Sequence, residues 1–229
     1  MNSTITDQAR AEHQAALAKI RELQKEQEWL QKRRGRFTAS EFHRLMGYED
    51  KDEFPKGAET YALDKAVESL TAESDSYTNE SMERGSDKEV EGVEYFMDIT
   101  GIEVIKYGKQ QEFIELGKDV GATPDGIILP DGGIEGKAPN SKTHFFYLTN
   151  LKTIEDLKRH CKNYYWQMQG SMYVTGAKYW YFFSYDERFK DPKHRLFFMK
   201  VERNDEDIAK LKSRLLKAIS TRNNYIKQL

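Results

Sequence analysis

A chain of 229 residues that is 38% hydrophobic and 32% charged, with a formal net charge of −2, has apolar material for a folded core beneath a very polar surface. Near-neutral charge excludes nucleic-acid binding by bulk attraction, so any such contact has to come from local basic patches. One cysteine, Cys161, excludes an internal disulfide, a multi-cysteine zinc site and a cysteine-held iron–sulfur cluster.

The first residues lack the apolar core of a signal peptide, and no stretch approaches the roughly 18 apolar residues of a membrane span. A cytoplasmic protein without membrane contact is expected. Residues 7–34 are rich in Ala, Leu, Gln, Glu, Lys and Arg, without Gly or Pro, which predicts a helix. Its apolar positions Leu17, Ile20, Leu23, Trp29 and Leu30 form only a narrow stripe, so residues 1–28 are expected as a peripheral helix, on the surface or against a partner chain.

A basic cluster, Arg33-Arg34-Gly35-Arg36, then runs into Phe37-Thr38-Ala39-Ser40. Ser40 is expected to cap a helix continuing through Phe42, Leu45 and Met46, with Glu41 in its first turn. A serine hydroxyl, open helix N–H groups and neighbouring arginines make this a candidate phosphate pocket. Residues 47–58 read as a loop, Glu59 to Leu70 as a helix, and Thr71 to Glu80 as a surface connection. A further helix through Val90, Val93, Tyr95, Phe96 and Ile99 would carry Glu89 on or near its buried side.

Ile102 to Tyr107 and Gln111 to Leu116 read as strands. Residues 121–137 then place Pro124-Asp125-Gly126-Ile127-Ile128-Leu129 and Ile134-Glu135-Gly136-Lys137 on either side of Pro130-Asp131-Gly132-Gly133. Two apolar runs around a Pro/Asp/Gly cluster predict a β-hairpin, which brings Asp125 near Glu135. Glu135 and Lys137 are two apart and share a strand face. Two carboxylates and an ammonium at one sheet edge suit a hard divalent cation beside a reacting phosphate.

Ile154 onward predicts helix, and the block from Tyr164 to Val174 has apolar residues all round, so Gln167 is expected to be a buried amide in need of partners. Lys178 to Tyr185 and Arg195 to Val201 are aromatic runs that read as paired buried strands joined by a polar loop. His160 and His194 stand without ligand spacing. Residues 204–227 predict a C-terminal helix with Ile208, Leu211, Leu215, Leu216 and Ile219 as its stripe.

Pro124-Asp125, a spacer and Glu135-Gly136-Lys137 together resemble the PD-(D/E)XK nuclease signature. With Trp29…Arg33…Thr38-Ala39-Ser40, Gly85…Glu89, Thr123-Pro124-Asp125-Gly126 and Tyr164…Gln167-Met168-Gln169 in register, residues 26–203 resemble the phage lambda exonuclease family of YqaJ-like viral recombinases. The resemblance implies an α/β fold, a central mixed β-sheet flanked by helices with a restriction-endonuclease-like core. It also implies one nuclease domain over 1–229, with its core at 29–203 and the C-terminal helix at 204–229.

By the same resemblance, Asp125 and Glu135 bind metal together with Glu89 and the Gly136 carbonyl, Asp125 bridging two Mg²⁺ ions for which Mn²⁺ can substitute. Lys137 lies near the attacking water and Gln167 supports the site. Arg33 and Ser40 match a pocket for a terminal 5′-phosphate, with Arg34 and Arg36 as neighbours that can help, and Met82 falls near a residue that parts the end base pair. The implied activity is a 5′→3′ exonuclease that degrades one strand of linear double-stranded DNA, working as a homotrimeric ring and leaving 3′ overhangs for a single-strand annealing protein. A PD-(D/E)XK endonuclease and an inactive DNA-end-binding module are the competing readings.

Overall fold

The computed structural model describes residues 2–48, 51, 53–72 and 87–229. The predicted hairpin forms: β4 (Gly126–Ile128) runs antiparallel to β5 (Gly132–Lys137), with Gly126 opposite Ile134 and Ile128 opposite Gly132. It is one end of a four-stranded mixed sheet in the order β4-β5-β6-β7. The aromatic runs supply β6 (Tyr179–Tyr185) and β7 (Leu196–Glu202), which pair antiparallel, with Tyr179 opposite Glu202.

Strands β5 and β6 run parallel, from Gly132 beside Tyr179 to Lys137 beside Ser184. Parallel neighbours need a crossover, and three helices provide it: α4 (Ser141–Asn150), α5 (Ile154–His160) and α6 (Lys162–Thr175). A capping box between Thr153 and Asp156 starts α5, and Gly176 in the left-handed region (φ 77°) ends α6.

A second mixed sheet has three short strands in the order β1-β3-β2: β1 (Phe37–Thr38), β2 (Ile114–Leu116) and β3 (Val120–Ala122). The expected strand at Ile102–Tyr107 reduces to one bridge between Ile105 and Ile127. Around the sheets lie α1 (Asn2–Arg33), a 3₁₀ helix (Ala39–Met46), α2 (Lys56–Leu70), α3 (Asp87–Thr100) and α7 (Asp205–Ile226). The expected α/β architecture, mixed sheets flanked by helices, is therefore present.

Period-two alternation along β6 divides the core. Trp180 and Phe182 join a large cluster with Phe42, Tyr61, Trp166, Met168 and Leu211. Phe183 and Tyr185 face the other way, towards Val93, Phe96, Ile128 and Ile134. β7 departs from the fully buried strand expected: only Leu196 and Val201 are buried, and Phe198 is 42% exposed. It is an outer strand, with a neighbour on one side only among the described residues.

The α7 side chain of Arg222 ties the C-terminal helix to the small sheet. It donates to the Gly35 carbonyl at 2.8 Å and to Asp119 at 2.5 Å, the latter just before β3. At the other end of the chain, α1 keeps Leu17, Ile20 and Leu23 exposed and packs through Trp29 and Leu30, which cluster with Phe113.

Glycine in β5 answers the bulk of β6. Gly132, Gly133 and Gly136 lie beside Tyr179, Trp180 and Phe183, and a Cβ built on each would stand 2.3–2.4 Å from the neighbouring ring. The rings lie across the glycine backbone, a close approach that no larger residue permits. Trp180 is wholly buried and cannot move aside. Gly133→Ala is therefore expected to destabilise the fold by about 1–3 kcal/mol through overpacking, measured by chemical denaturation; unchanged stability would show that the indole has room to shift.

Candidate active site

The site lies where the chain crosses from one sheet to the other. It leaves β3 at Ala122, passes through Thr123-Pro124-Asp125 and enters β4 at Gly126. Because β1 is parallel to β3, with Thr38 beside Gly121, residues just past both strand ends emerge at the same place. That register, and nothing local to either segment, brings the Arg33–Ser40 region to Asp125. The result is a cleft of about 370 Å³ whose walls include Arg33, Ser40, Glu89, Asp125, Lys137 and Gln167.

Asp125 sits one residue before β4, opposite the Glu135-Gly136 edge of β5. Its Oδ2 accepts the Gly136 N–H at 2.9 Å and its Oδ1 accepts the Gln111 amide at 3.3 Å, so both oxygens are oriented by donors. Glu135 is fully buried. Its Oε1 meets the Lys137 ammonium at 2.7 Å, and Oε2 is buried with no hydrogen-bond partner among the described residues. Glu135 and Lys137 project to the face covered by α6, where the Lys137 ammonium lies 5.3 Å from the Tyr164 ring centroid.

Electrostatics favour a cation here. Burial, and then the charge on Asp125, push the Glu135 carboxyl up to about 8. Burial also raises Asp125, against the pull of Lys137. Burial alone would lower Lys137, but Glu135, Asp125 and Glu89 outweigh it and hold the ammonium charged well above its usual range. Three carboxylates thus act on a single, partly buried ammonium. Such a donor set, with an unsatisfied oxygen on Glu135, fits a hard divalent ion. No group of three or more His, Cys, Asp or Glu among the described residues forms a ready metal cage, and Lys137 sits within the carboxylate set as a positive partner.

Arg33 is buried at 4% exposure, and the structure explains how. Its guanidinium lies 4.4 Å from the Trp29 ring centroid and donates to the Thr123 hydroxyl at 3.3 Å, while the indole N–H donates to the same hydroxyl at 3.1 Å. Ser40 corrects its expected role. The helix from Ala39 is 3₁₀ and its cap position is Thr38, so Ser40 stands inside the first turn, its hydroxyl 3.3 Å from that of Thr38 and facing the cleft.

Arg34 and Arg36 do not join Arg33 in the cleft. Arg34 caps the C-terminal end of α2, donating to the carbonyls of Glu68 (2.7 Å), Ala72 (2.6 Å) and Thr71. Arg36 pairs with Glu115 at 3.0 Å and donates to the carbonyls of Lys118 (3.1 Å) and Lys32. The helix ends at Arg33 and the chain turns through Arg34-Gly35-Arg36, with Gly35 in the left-handed region (φ 67°), so a basic cluster in sequence became three separate contacts. Met82 lies outside the described residues.

Glu89, in the first turn of α3, is partly exposed and reaches the cleft from the opposite side of the sheet. On α6 the buried amide proves to be Gln169, not Gln167. Gln169 is fully buried, donates to the Glu202 carbonyl at 3.0 Å and accepts the Asn204 N–H at 2.9 Å. Gln167, two positions earlier and so rotated about 200° around the helix, is partly exposed in the cleft wall.

Sequence reading missed Gln111, taken only as the start of a strand, and gave no role to Thr123 beside Pro124-Asp125. An amide at the foot of a short strand carries no signal of its own. Thr123, a polar residue next to the motif, could have been found.

A family model described as a YqaJ-like viral recombinase domain matches residues 28–178, more than half of the chain. Among solved structures, the alkaline exonuclease LHK-Exo from Laribacter hongkongensis is 26% identical, with a TM-score of 0.72 over 88% of this chain and 95% of that one. LHK-Exo in complex with dAMP gives the same identity and a TM-score of 0.71 over the same shares. A phage related exonuclease from Haemophilus somnus 129PT shares the fold at 16% identity, with a TM-score of 0.64 over 84% of this chain and 96% of that one. A search of curated proteins found no match.

The assignment of the two glutamines can be checked by stability. Gln169→Leu strands a buried N–H and a carbonyl and should lower stability by about 1–3 kcal/mol, whereas Gln167→Leu should change it by less than about 0.5 kcal/mol. Equal losses in denaturant titrations would contradict the separation of the two faces.

Proposed function

The chain belongs to the YqaJ-like viral recombinase family, and we propose that within it this protein is a Mg²⁺-dependent 5′→3′ exonuclease of linear double-stranded DNA. The family and the alkaline exonuclease neighbours support a DNA exonuclease. One observation carries the finer reading: Asp125, Lys137 and Glu89 line the same cleft as Arg33 and Ser40, with Glu135 buried against Lys137. A site for phosphodiester hydrolysis and a site for a phosphate end thus lie a short distance apart.

Asp125, Glu135, Glu89 and the Gly136 carbonyl would hold the divalent ions, with Mn²⁺ as a substitute for Mg²⁺. The ions would supply Lewis-acid neutralisation of the scissile phosphate and acidify the attacking water. The protein's own groups do the rest. Gln111 and the Gly136 N–H fix the Asp125 carboxylate, sparing it reorientation when substrate arrives. Lys137, held charged by Glu135, offers a proton donor and a positive charge beside the reacting phosphate. Gln167 borders the same space.

Arg33 supplies direction. A guanidinium fixed by Trp29 and Thr123 favours a phosphate monoester, whose extra charge a chain-internal phosphodiester lacks. Each cut that leaves a new 5′-phosphate regenerates the group the pocket holds. A homotrimeric ring around DNA would give processivity without strong bulk charge, consistent with the net charge of −2. The 3′ overhang would pass to a single-strand annealing protein in phage-type recombination in a host cytoplasm. No helix of the described residues is long and apolar enough to cross a membrane.

Asp125→Ala should abolish Mg²⁺-dependent digestion of linear duplex, and weaken Mn²⁺ binding by calorimetry, while far-ultraviolet circular dichroism stays unchanged. Retained activity would remove the catalytic assignment. Closed circular duplex should resist the parent protein; rapid cutting of circles would favour the endonuclease reading. Arg33→Ala should slow digestion of 5′-phosphorylated ends at least tenfold more than that of 5′-hydroxyl ends, read by end-labelled duplexes. Equal losses would point to general DNA contact.

A further inference from the structure

Trp29 lines two spaces, and only one of them is the catalytic cleft. The other is a trough of about 530 Å³ that shares Trp29 and Gln111 with it, so little more than an indole and an amide separates the two. Four lysines border this trough: Lys25 and Lys32 from α1, and Lys106 and Lys109 from the segment between α3 and β2. Lys25 and Lys32 are seven apart, which puts them on one side of the helix two turns from each other.

The opposite wall is held in an unusual conformation. Lys106 has φ 55°, the one non-glycine residue of the described chain in the left-handed region. The Ile105–Ile127 bridge precedes it, and a 3₁₀ turn at Gly108–Gln110 follows. Such conformations persist where the surroundings impose them, and they concentrate at functional sites. Here the backbone turn accompanies two ammoniums, Lys106 and Lys109, in the trough wall.

Carboxylates are present too: Glu28 and Glu112 line the trough with the lysines. Glu112 meets Lys106 at 2.7 Å and Glu22 meets Lys109 at 2.7 Å, with the two glutamates 63% and 60% exposed. Exposed ion pairs of this kind contribute little and are screened by salt, so a phosphate can take the place of either glutamate. In a chain of net charge −2, four ammoniums against two lining carboxylates leave a local positive excess, the kind of patch that phosphate binding requires.

We infer that this trough carries the phosphodiester backbone of the DNA strand that survives digestion, once it has become single. The inference rests on the nuclease reading above. If Arg33 holds the 5′-phosphate, the degraded strand ends at the guanidinium stacked on Trp29. Beyond that indole no nucleotide of the degraded strand remains. The polyanion available to the lysines is the complementary strand, whose partner has been removed. Holding it would draw the emerging overhang away from the cleft and keep the next 5′ end in place.

The test uses the full chain and a charge-reversed variant, Lys25→Glu/Lys32→Glu/Lys106→Glu, with the milder Lys25→Gln/Lys32→Gln/Lys106→Gln as a second. Binding of a 5′-hydroxyl oligothymidine is followed by fluorescence anisotropy across salt, with divalent ions chelated. Expected is at least a tenfold loss of single-strand affinity. The slope of log affinity against log salt should flatten by about 0.7 for each phosphate contact removed. Removal of the first nucleotide from a 5′-phosphorylated duplex should stay at the parent rate, while nucleotides removed per binding event fall.

Parental single-strand affinity and salt slope in both variants, with normal end digestion, would overturn the inference and leave the nuclease reading intact. Equal weakening of short duplex and single strand would overturn it as well, making the trough a general duplex contact. Failure of the nuclease reading shows separately, as absence of Mg²⁺-dependent digestion by the parent protein.

Discussion

A carboxylate buried in the interior of a sheet is tolerated only when its charge is matched, and much of this structure is arranged around that condition at Glu135. The match comes from Lys137 on the same strand face, two residues on. With Asp125 at 2.9 Å from the Gly136 N–H, the local balance becomes negative again. One ammonium facing three carboxylates is a poor arrangement for stability and a good one for holding cations, so the strand exchanges packing energy for chemistry.

That strand can sit inside the sheet because it has little bulk of its own. Glycines at 132, 133 and 136 let the rings of Tyr179, Trp180 and Phe183 lie across it. The aromatic strand therefore supplies the packing, and β5 supplies the functional groups. Helix α6 completes the division of labour. It buries Trp166, Met168 and Gln169 on its core side and lays Tyr164 and Gln167 along the cleft. The same helix serves core and site because its sides meet different surroundings.

The break between the two sheets decides where the cleft lies. A continuous sheet would have carried Asp125 into a ladder; the crossing from β3 to β4 leaves it free to face Glu135. Parallel pairing of β1 with β3 delivers Ser40 to the same opening, and the end of α1 delivers Arg33. The proposed metal-binding carboxylates and the proposed phosphate pocket meet at Thr123, one residue before the Pro124-Asp125 pair. The lysine trough then lies across the Trp29 indole from the cleft, so the proposed pocket for the 5′ end and the proposed path of the surviving strand adjoin.

Much of this was legible in the sequence because its signals are local. The Pro/Asp/Gly cluster between apolar runs fixes the hairpin, and period-two spacing puts Glu135 and Lys137 on one face. The aromatic runs could only be buried strands or nearly so, and β7 fell short because it is an outer strand. Failures came where orientation depends on neighbours distant in sequence. Arg33, Arg34 and Arg36 look equivalent as a basic run, yet the helix end and the turn after it point them towards Thr123, the end of α2 and Glu115. Gln167 and Gln169 look interchangeable until the helix is docked. Composition, pattern and motif thus determined most of the elements and the residue types of the site, and the family resemblance supplied the fold class. Only the tertiary structure decided which arginine enters the cleft, which glutamine is buried and that Gln111 holds Asp125, since those outcomes depend on packing between segments up to 94 residues apart.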